Sequence, residues 1–446
     1  MKKIAIIGIV LILLSSMVFA SGGSQQQSAA AGKTVITFSF WGTPDEWVAT
    51  MATAERFNQS QNRIEVVPIQ IAWEAYVPTL NTMAAAGRLP DCGMMMESRV
   101  LEFANNGLLA DMSQMYPAGS PKPLDSLAFK DSSGKVVAYS AANEILLLYY
   151  NKKMFDAAGI AYPPTNVANA WTWDQFVNTA KLLTRDANGR TPNDTGFDRN
   201  NIRQYGAQVN NLTWQLEVWA LSNGGGFFSP DGRTLTIDQP AAIEAIQRVA
   251  DLHLVHNVSP LRTGMTDDNI QASILTGTVA MATCGQWNVG TAFPEWVAAG
   301  NEYGVAVLPY MRERVTINTG GPTVVFSQSR NQAAAMEFLR WYMQEENSWG
   351  LIESGIWMPI LDKYYTNAAD TRRWINNPNF PVNYQTAVVD YARTNAKPTS
   401  WYFTPNTGDI YEALGAALGD VWTGRTTAQA AITGAAANLR RLLARR

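Results

Sequence analysis

The chain has 446 residues, 47% of them hydrophobic and 16% charged, a globular composition long enough for two or three domains. Its net charge of −3 supplies no basic field of the kind that holds nucleic acid. Arg440, Arg441, Arg445 and Arg446 close the chain and read as a solvated helix end, where cations suit the dipole.

The first segment reads as an export signal. Lys2 and Lys3 precede an apolar run over 4–14, and Val18 and Ala20 put small residues at −3 and −1 of a cut after Ala20. The run is too short to span a bilayer comfortably as an anchor. The first cysteine is Cys92, so no lipid-bearing cysteine follows the cut. Loss of 1–20 removes two lysines and no acid and takes the charge from −3 to −5. Residues 21–32, rich in Gly, Ser, Gln and Ala, read as a flexible leader. The mature protein is expected in the periplasm, with no further membrane span.

After the leader, residues 34–40 alternate as a strand, 47–58 carry helical periodicity, and 64–71 form a second strand. A helix over 76–86 is closed by Gly87, a strand follows over 92–96, and a helix over 100–106 is closed by Gly107. Strands alternating with helices predict a largely parallel sheet. Ligands of such sheets sit beyond the carboxyl ends of the strands, where Trp41, Trp73 and Glu97 fall.

Residues 137–150 divide into strands at 137–139 and 145–150 around Asn143 and Glu144, and a helix opens near Met154. A carboxylate inside so apolar a stretch needs partners. Thr172 and Gln175 match a capping box, and Trp173 beside them reads as helix packing. The polar loop 184–200 lacks the acidic spacing of a calcium loop. A helix over 214–221 carries Trp214 and Trp219 and ends in Asn223 and three glycines. No Lys-Ser/Thr follows them, so they are a tight turn and not a phosphate loop. Residues 276–283 form a short strand running into Gln286 and Trp287, and 398–407 form a loop with Trp401 and Tyr402 before two Ala-rich helices. His253 and His256 lie three apart with no further ligand suggested nearby, and read as ordinary helix residues. Whether Cys92 and Cys284 pair is left open.

The order of these pieces resembles the family 1 extracellular solute-binding proteins of bacterial ABC importers, the sugar-binding group related to maltose-binding protein. The likeness runs from Phe38-Ser39-Phe40-Trp41-Gly42 through Leu89-Pro90-Asp91, Tyr149-Tyr150-Asn151-Lys152 and Thr172-Trp173-Asp174. It continues through Asn223-Gly224-Gly225, Gly285 with Trp287, Tyr303-Gly304-Val305 and Gly320-Gly321. The resemblance implies a type II periplasmic-binding-protein fold: two α/β lobes, each a mixed, largely parallel sheet flanked by helices, closing on a solute between them. By the same likeness, lobe one holds 33–141 and 308–360, and lobe two holds 145–304 and 361–446. The chain then crosses between lobes near 141–145, 304–310 and 358–364. It further implies a monomer that docks on an ABC permease.

Sugars offer apolar CH faces to aromatic rings and hydroxyls to fixed donors and acceptors. The candidate ligand-binding residues are Trp41, Trp73, Glu97, Asn143, Glu144, Gln286, Trp287, Trp357, Trp401 and Tyr402, with Asp45 a weaker one and Trp219 read as packing. Family likeness favours Trp287 and Trp401 most. Against a binding protein stands a secreted carbohydrate-active enzyme, with Glu97 and Glu144 as its carboxylate pair. No nucleophile elbow, zinc helix or dinucleotide fingerprint is present, so no enzyme, metal or cofactor is expected. A binder of polyols or other small solutes, or a surface adhesin, are the remaining alternatives.

Overall fold

The computed structural model describes residues 32–42, 44–118, 123–124, 127–261, 273–274, 276–300, 302–378 and 380–445. The expected signal segment lies outside them. The first half of the fold alternates: β1 Thr34–Phe40, α1 Pro44–Ser60, β2 Ile64–Gln70, α2 Trp73–Ala85, β3 Cys92–Met94 and α3 Glu97–Asn105. β1 pairs in parallel with β2 along its whole length and with β3 at its end, as the alternation predicts. The three helices begin at 44, 73 and 97, where periodicity predicts 47, 76 and 100. Periodicity reports buried turns, and Trp73, Glu74 and Ala75, which open α2, are exposed. Glu74 and Glu97 suit such positions because the amino end of a helix favours acids. Gly87 takes φ +65° to end α2, a conformation open to glycine.

With β4 Ala128–Lys130, β5 Val136–Ser140 and, from much later in the chain, β12 Pro322–Val325, this sheet has the order β2-β1-β3-β12-β5-β4. Three residues after β5, β6 Glu144–Asn151 begins the second sheet. Then come α4 Lys152–Ala158, capped by Asn151, and α5 Trp173–Leu183, with the predicted capping box of Thr172 and Gln175. The 184–200 loop contains β7 Arg185–Asp186, paired with β8 Ile202–Gln204. α6 Glu217–Ser222 and α7 Pro240–Leu254 follow, then β9 Met281–Gly285, α8 Phe293–Ala298, β10 Tyr303–Ala306 and β11 Thr316–Thr319. β6 is the hub of this sheet, pairing antiparallel with β9, β10 and β11.

β12 Pro322–Val325 returns to the first sheet, between β3 and β5. The step between sheets therefore falls at Gly320-Gly321, not within the expected 304–310, because β10 and β11 both still pair with β6. A Cβ on Gly320, at φ +148°, would lie 2.0 Å from the carbonyl oxygen of Ala142. The two passes touch there, and only glycine fits. Beside them the Asn143 amide donates to the Met358 carbonyl at 3.2 Å.

α9 Gln332–Tyr342 and α10 Glu345–Glu353 pack near α1. α11 Lys363–Thr366, α12 Ala368–Ile375 and α13 Tyr391–Asn395 lead to β13 Ala396–Pro398, parallel to β11. α14 Thr407–Trp422 and α15 Ala428–Leu443 close the chain as the predicted pair. The main apolar core runs through both sheets, and a smaller one gathers Tyr76, Leu80, Phe129, Val324 and Tyr402. Cys92 and Cys284 are both buried, lie in different sheets and are not joined by a disulfide. His253 Nδ1 lies 3.0 Å from the Ser259 carbonyl oxygen, a local contact that fits the structural reading.

Candidate functional site

Strand direction brings the crossings to one end of both sheets. The first sheet presents there the carboxyl ends of β1, β2, β3 and β5. The second presents those of β9, β11 and β13 beside the start of β6. The predicted site residues lie in the turns near this end or, as Trp73, Glu97 and Glu144 do, at the first residue of the element that follows, and they face different ways.

On the first sheet, Trp41 is half-buried and meets Trp73 and Tyr76 edge-on, with ring centres 5.1 and 4.8 Å away. Tyr76 is immobilised beneath, its hydroxyl 2.8 Å from both Ser39 Oγ and the Met94 carbonyl oxygen. Trp73 remains 47% exposed. Glu97 opens α3, and its Oε1 accepts from the Thr319 hydroxyl and, at 3.1 Å, from the Gly320 amide. A helix of the first sheet thereby grips the end of β11. Glu144 stands opposite Thr319 across the strands, so both carboxylates flank one threonine. The Tyr402 hydroxyl feels both: burial raises its pKa well above normal, and the charges of Glu97 and Glu144 raise it further.

On the second sheet, the indole of Trp287 folds over Gly285, where a Cβ would lie within 2.0–2.2 Å of three ring carbons. Trp214 lies 6.2 Å away at a 35° tilt, and both indoles are half-buried. Gln286 turns inward, donating to the Gly355 carbonyl at 2.8 Å and the Tyr384 hydroxyl at 2.9 Å. Asn143 Nδ2 donates to the Tyr365 hydroxyl at 3.0 Å. The side-chain oxygens of Asn143, Gln286 and Asn318 and the indole N–H of Trp401 are buried without a hydrogen-bond partner. Leaving such a group unsatisfied costs about 1–3 kcal/mol.

Three predicted platforms are instead packed into the core. Trp357 meets Tyr342 at 5.7 Å. Trp401 is enclosed by Phe227, Phe228 and Tyr411 at 6.0, 5.1 and 5.8 Å. Tyr402 lies over Phe129 at 4.1 Å. At Trp401 and Tyr402 the turn is held by Glu217, a fully buried carboxylate in the first turn of α6. It accepts from the hydroxyls of Thr399 and Ser400 and from the Ser400 amide, drawing this turn inward. Burial raises the Glu217 pKa, and these hydrogen bonds oppose the rise. Sequence reasoning missed Glu217, although an acid opening an apolar stretch is the same signal that marked Glu144. It also placed Trp214 within a helix, whereas α6 starts three residues later. Trp219 packs on Trp173 at 5.0 Å, as expected. The Asp45 side chain lies outside the described residues.

Partly exposed indole faces beside carboxylates and inward-facing amides suit a polyhydroxylated solute. Among the described residues, no group of three or more His, Cys, Asp or Glu is placed to hold a metal, and no helix is long and apolar enough to cross a membrane.

Residues 52–382 match the family model described as bacterial extracellular solute-binding protein. An sn-glycerol-3-phosphate-binding periplasmic protein from Brucella melitensis is 25% identical over 345 residues, 73% of this chain and 74% of that one. Among solved structures, an ABC transporter solute-binding protein from Thermotoga lettingae, bound with α-D-tagatose, superimposes with TM-score 0.74. It is 23% identical, and the match covers 92% of this chain and 100% of that one. An ABC substrate-binding protein from Listeria monocytogenes in complex with cycloalternan gives TM-score 0.74 at 21% identity, over 93% of this chain and 100% of that one. The structural matches establish a shared two-lobed α/β fold.

Proposed function

The chain belongs to the bacterial extracellular solute-binding proteins, and from that premise we propose that it holds a sugar or oligosaccharide between its lobes for delivery to an ABC permease. The observation that carries the reading is that each sheet presents, at its strands' end nearest the crossing, a pair of partly exposed indoles, with Glu97 and Glu144 beside the crossing itself. Trp41, Trp73, Trp214 and Trp287 supply the apolar faces, and Glu97, Glu144, Asn143 and Asn318 supply acceptors and donors. Tagatose and cycloalternan, named with the two solved relatives, are both sugars, which agrees with that chemistry. Lobe one comprises 33–141 and about 321–360, and lobe two 144–319 and 361–445. The chain works as an exported monomer, and Glu97 and Glu144 serve as hydrogen-bond acceptors rather than as an acid–base pair.

Ligand that contacts both lobes favours the closed arrangement by population shift. A thermal-shift and calorimetric screen against D-tagatose, maltose, cycloalternan, pentoses and sugar alcohols, with product analysis, tests the assignment. Saturable binding without turnover and a smaller radius by X-ray scattering are expected. Turnover of a sugar would make the chain an enzyme, and silence across the panel would remove the sugar reading.

A further inference from the structure

The relatives pull in two directions, since the name of one includes a phosphate ester and two solved structures carry uncharged sugars. The charge distribution around the cleft separates these chemistries. Helix amino ends are where backbone amides and the dipole hold phosphate. α1, α2 and α3 each follow a parallel strand at its carboxyl end, so their amino ends converge on the cleft. Each already carries acid in its first turn: Asp45 and Glu46, Glu74, and Glu97. Glu97 goes further, because its carboxylate occupies the Thr319 hydroxyl and the Gly320 amide, donors that the crossing would otherwise offer to an anion. Across the turns at 41–46, 71–76, 95–99, 141–145, 210–217, 285–290, 318–321, 355–358 and 399–403, the sequence places those four acids, Glu144 and Glu217. The same turns contain a single base, Arg99, which is engaged by Glu102 at 3.0 Å.

We propose that Glu97 is a specificity-determining residue that reserves this cleft for uncharged polyhydroxylated solutes and excludes their phosphate esters. A dianionic phosphoryl group would meet carboxylates at close range with little water between, where like charges repel strongly. A hydroxyl, in contrast, can donate to the Glu97 carboxylate. The inference rests on the solute-binding reading above and narrows it.

The test titrates full-length mature protein by calorimetry with D-tagatose, maltose, glycerol, sn-glycerol 3-phosphate and glucose 6-phosphate. Wild type is expected to bind a neutral member of the panel and to bind the phosphate esters at least about thirtyfold more weakly, ~2 kcal/mol. Glu97→Gln keeps an acceptor for the Thr319 hydroxyl and the Gly320 amide and removes the charge. It is expected to narrow the neutral-to-phosphate ratio by about tenfold or more, ~1.4 kcal/mol. Glu74→Gln, at an exposed first-turn position, should narrow it in the same direction by less, and serves if the Glu97 variant fails to fold. A phosphate ester bound by wild type as tightly as the neutral sugars would overturn the inference and leave the solute-binding assignment standing. A ratio unmoved in both folded variants would overturn the role of the carboxylates. Binding of no panel member would bring down the sugar reading and this inference with it.

Discussion

The two sides of the cleft are built from the same residue types and use them differently. On the first sheet, Trp41 and Trp73 keep ring surface open over an immobilised Tyr76. On the second, Trp401 and Tyr402 also stand beyond a strand end, yet neighbouring rings enclose them. Trp287, propped over Gly285, keeps a face there with Trp214. Position at a strand's carboxyl end brings an aromatic to the site, and its neighbours decide whether it binds or packs.

The sharpest way to break this contrast is Trp401→Ala. Emptying an enclosed indole site costs about 3–5 kcal/mol, so the apo protein should lose that much in urea unfolding. A stable variant with abolished sugar binding would move Trp401 to the ligand side. Next comes Gly320→Ala, which sets a Cβ against the Ala142 carbonyl at an unfavourable φ. Such backbone strain costs roughly 1–3 kcal/mol, and X-ray scattering should also find the lobes displaced. Trp287→Ala is expected to weaken sugar binding more than about tenfold, ~1.4 kcal/mol, while the apo thermal midpoint falls far less than in Trp401→Ala. A large stability loss with normal affinity would place Trp287 in the core.

The smallest effect concerns Glu217. A carboxyl whose pKa is raised on folding contributes most below its unfolded value and loses that contribution as pH rises through the folded value. Burial raises the Glu217 pKa above its usual 4.5. Wild type should therefore gain stability relative to Glu217→Gln as pH falls from 7 toward 4.5. Equal urea midpoint differences at pH 7 and pH 5 would contradict this.

Much of the fold was legible because burial leaves a local mark. The alternation of 34–40 marks the bounds of β1, Thr34–Phe40, and Thr172 with Gln175 announces the cap of α5. The strands on either side of Asn143-Glu144, β5 and β6, pair in different sheets. The second crossing was missed because Tyr303–Ala306 and Pro322–Val325 are equally apolar, and partnership with β6 or β5 is a long-range choice that no local pattern records. The fate of the 399–402 turn was illegible for the same reason. It depends on Glu217, which is 183 positions from Ser400.

The central claim is that one solute touches both sheets at their crossing. Hydrogen–deuterium exchange with and without whichever of D-tagatose, maltose or cycloalternan gives the largest thermal shift tests it most directly. Slowed exchange is predicted at 95–99 in the first sheet and together with it at 285–290 and 318–321 in the second. Protection confined to one side, or lying elsewhere in the chain, would contradict the account.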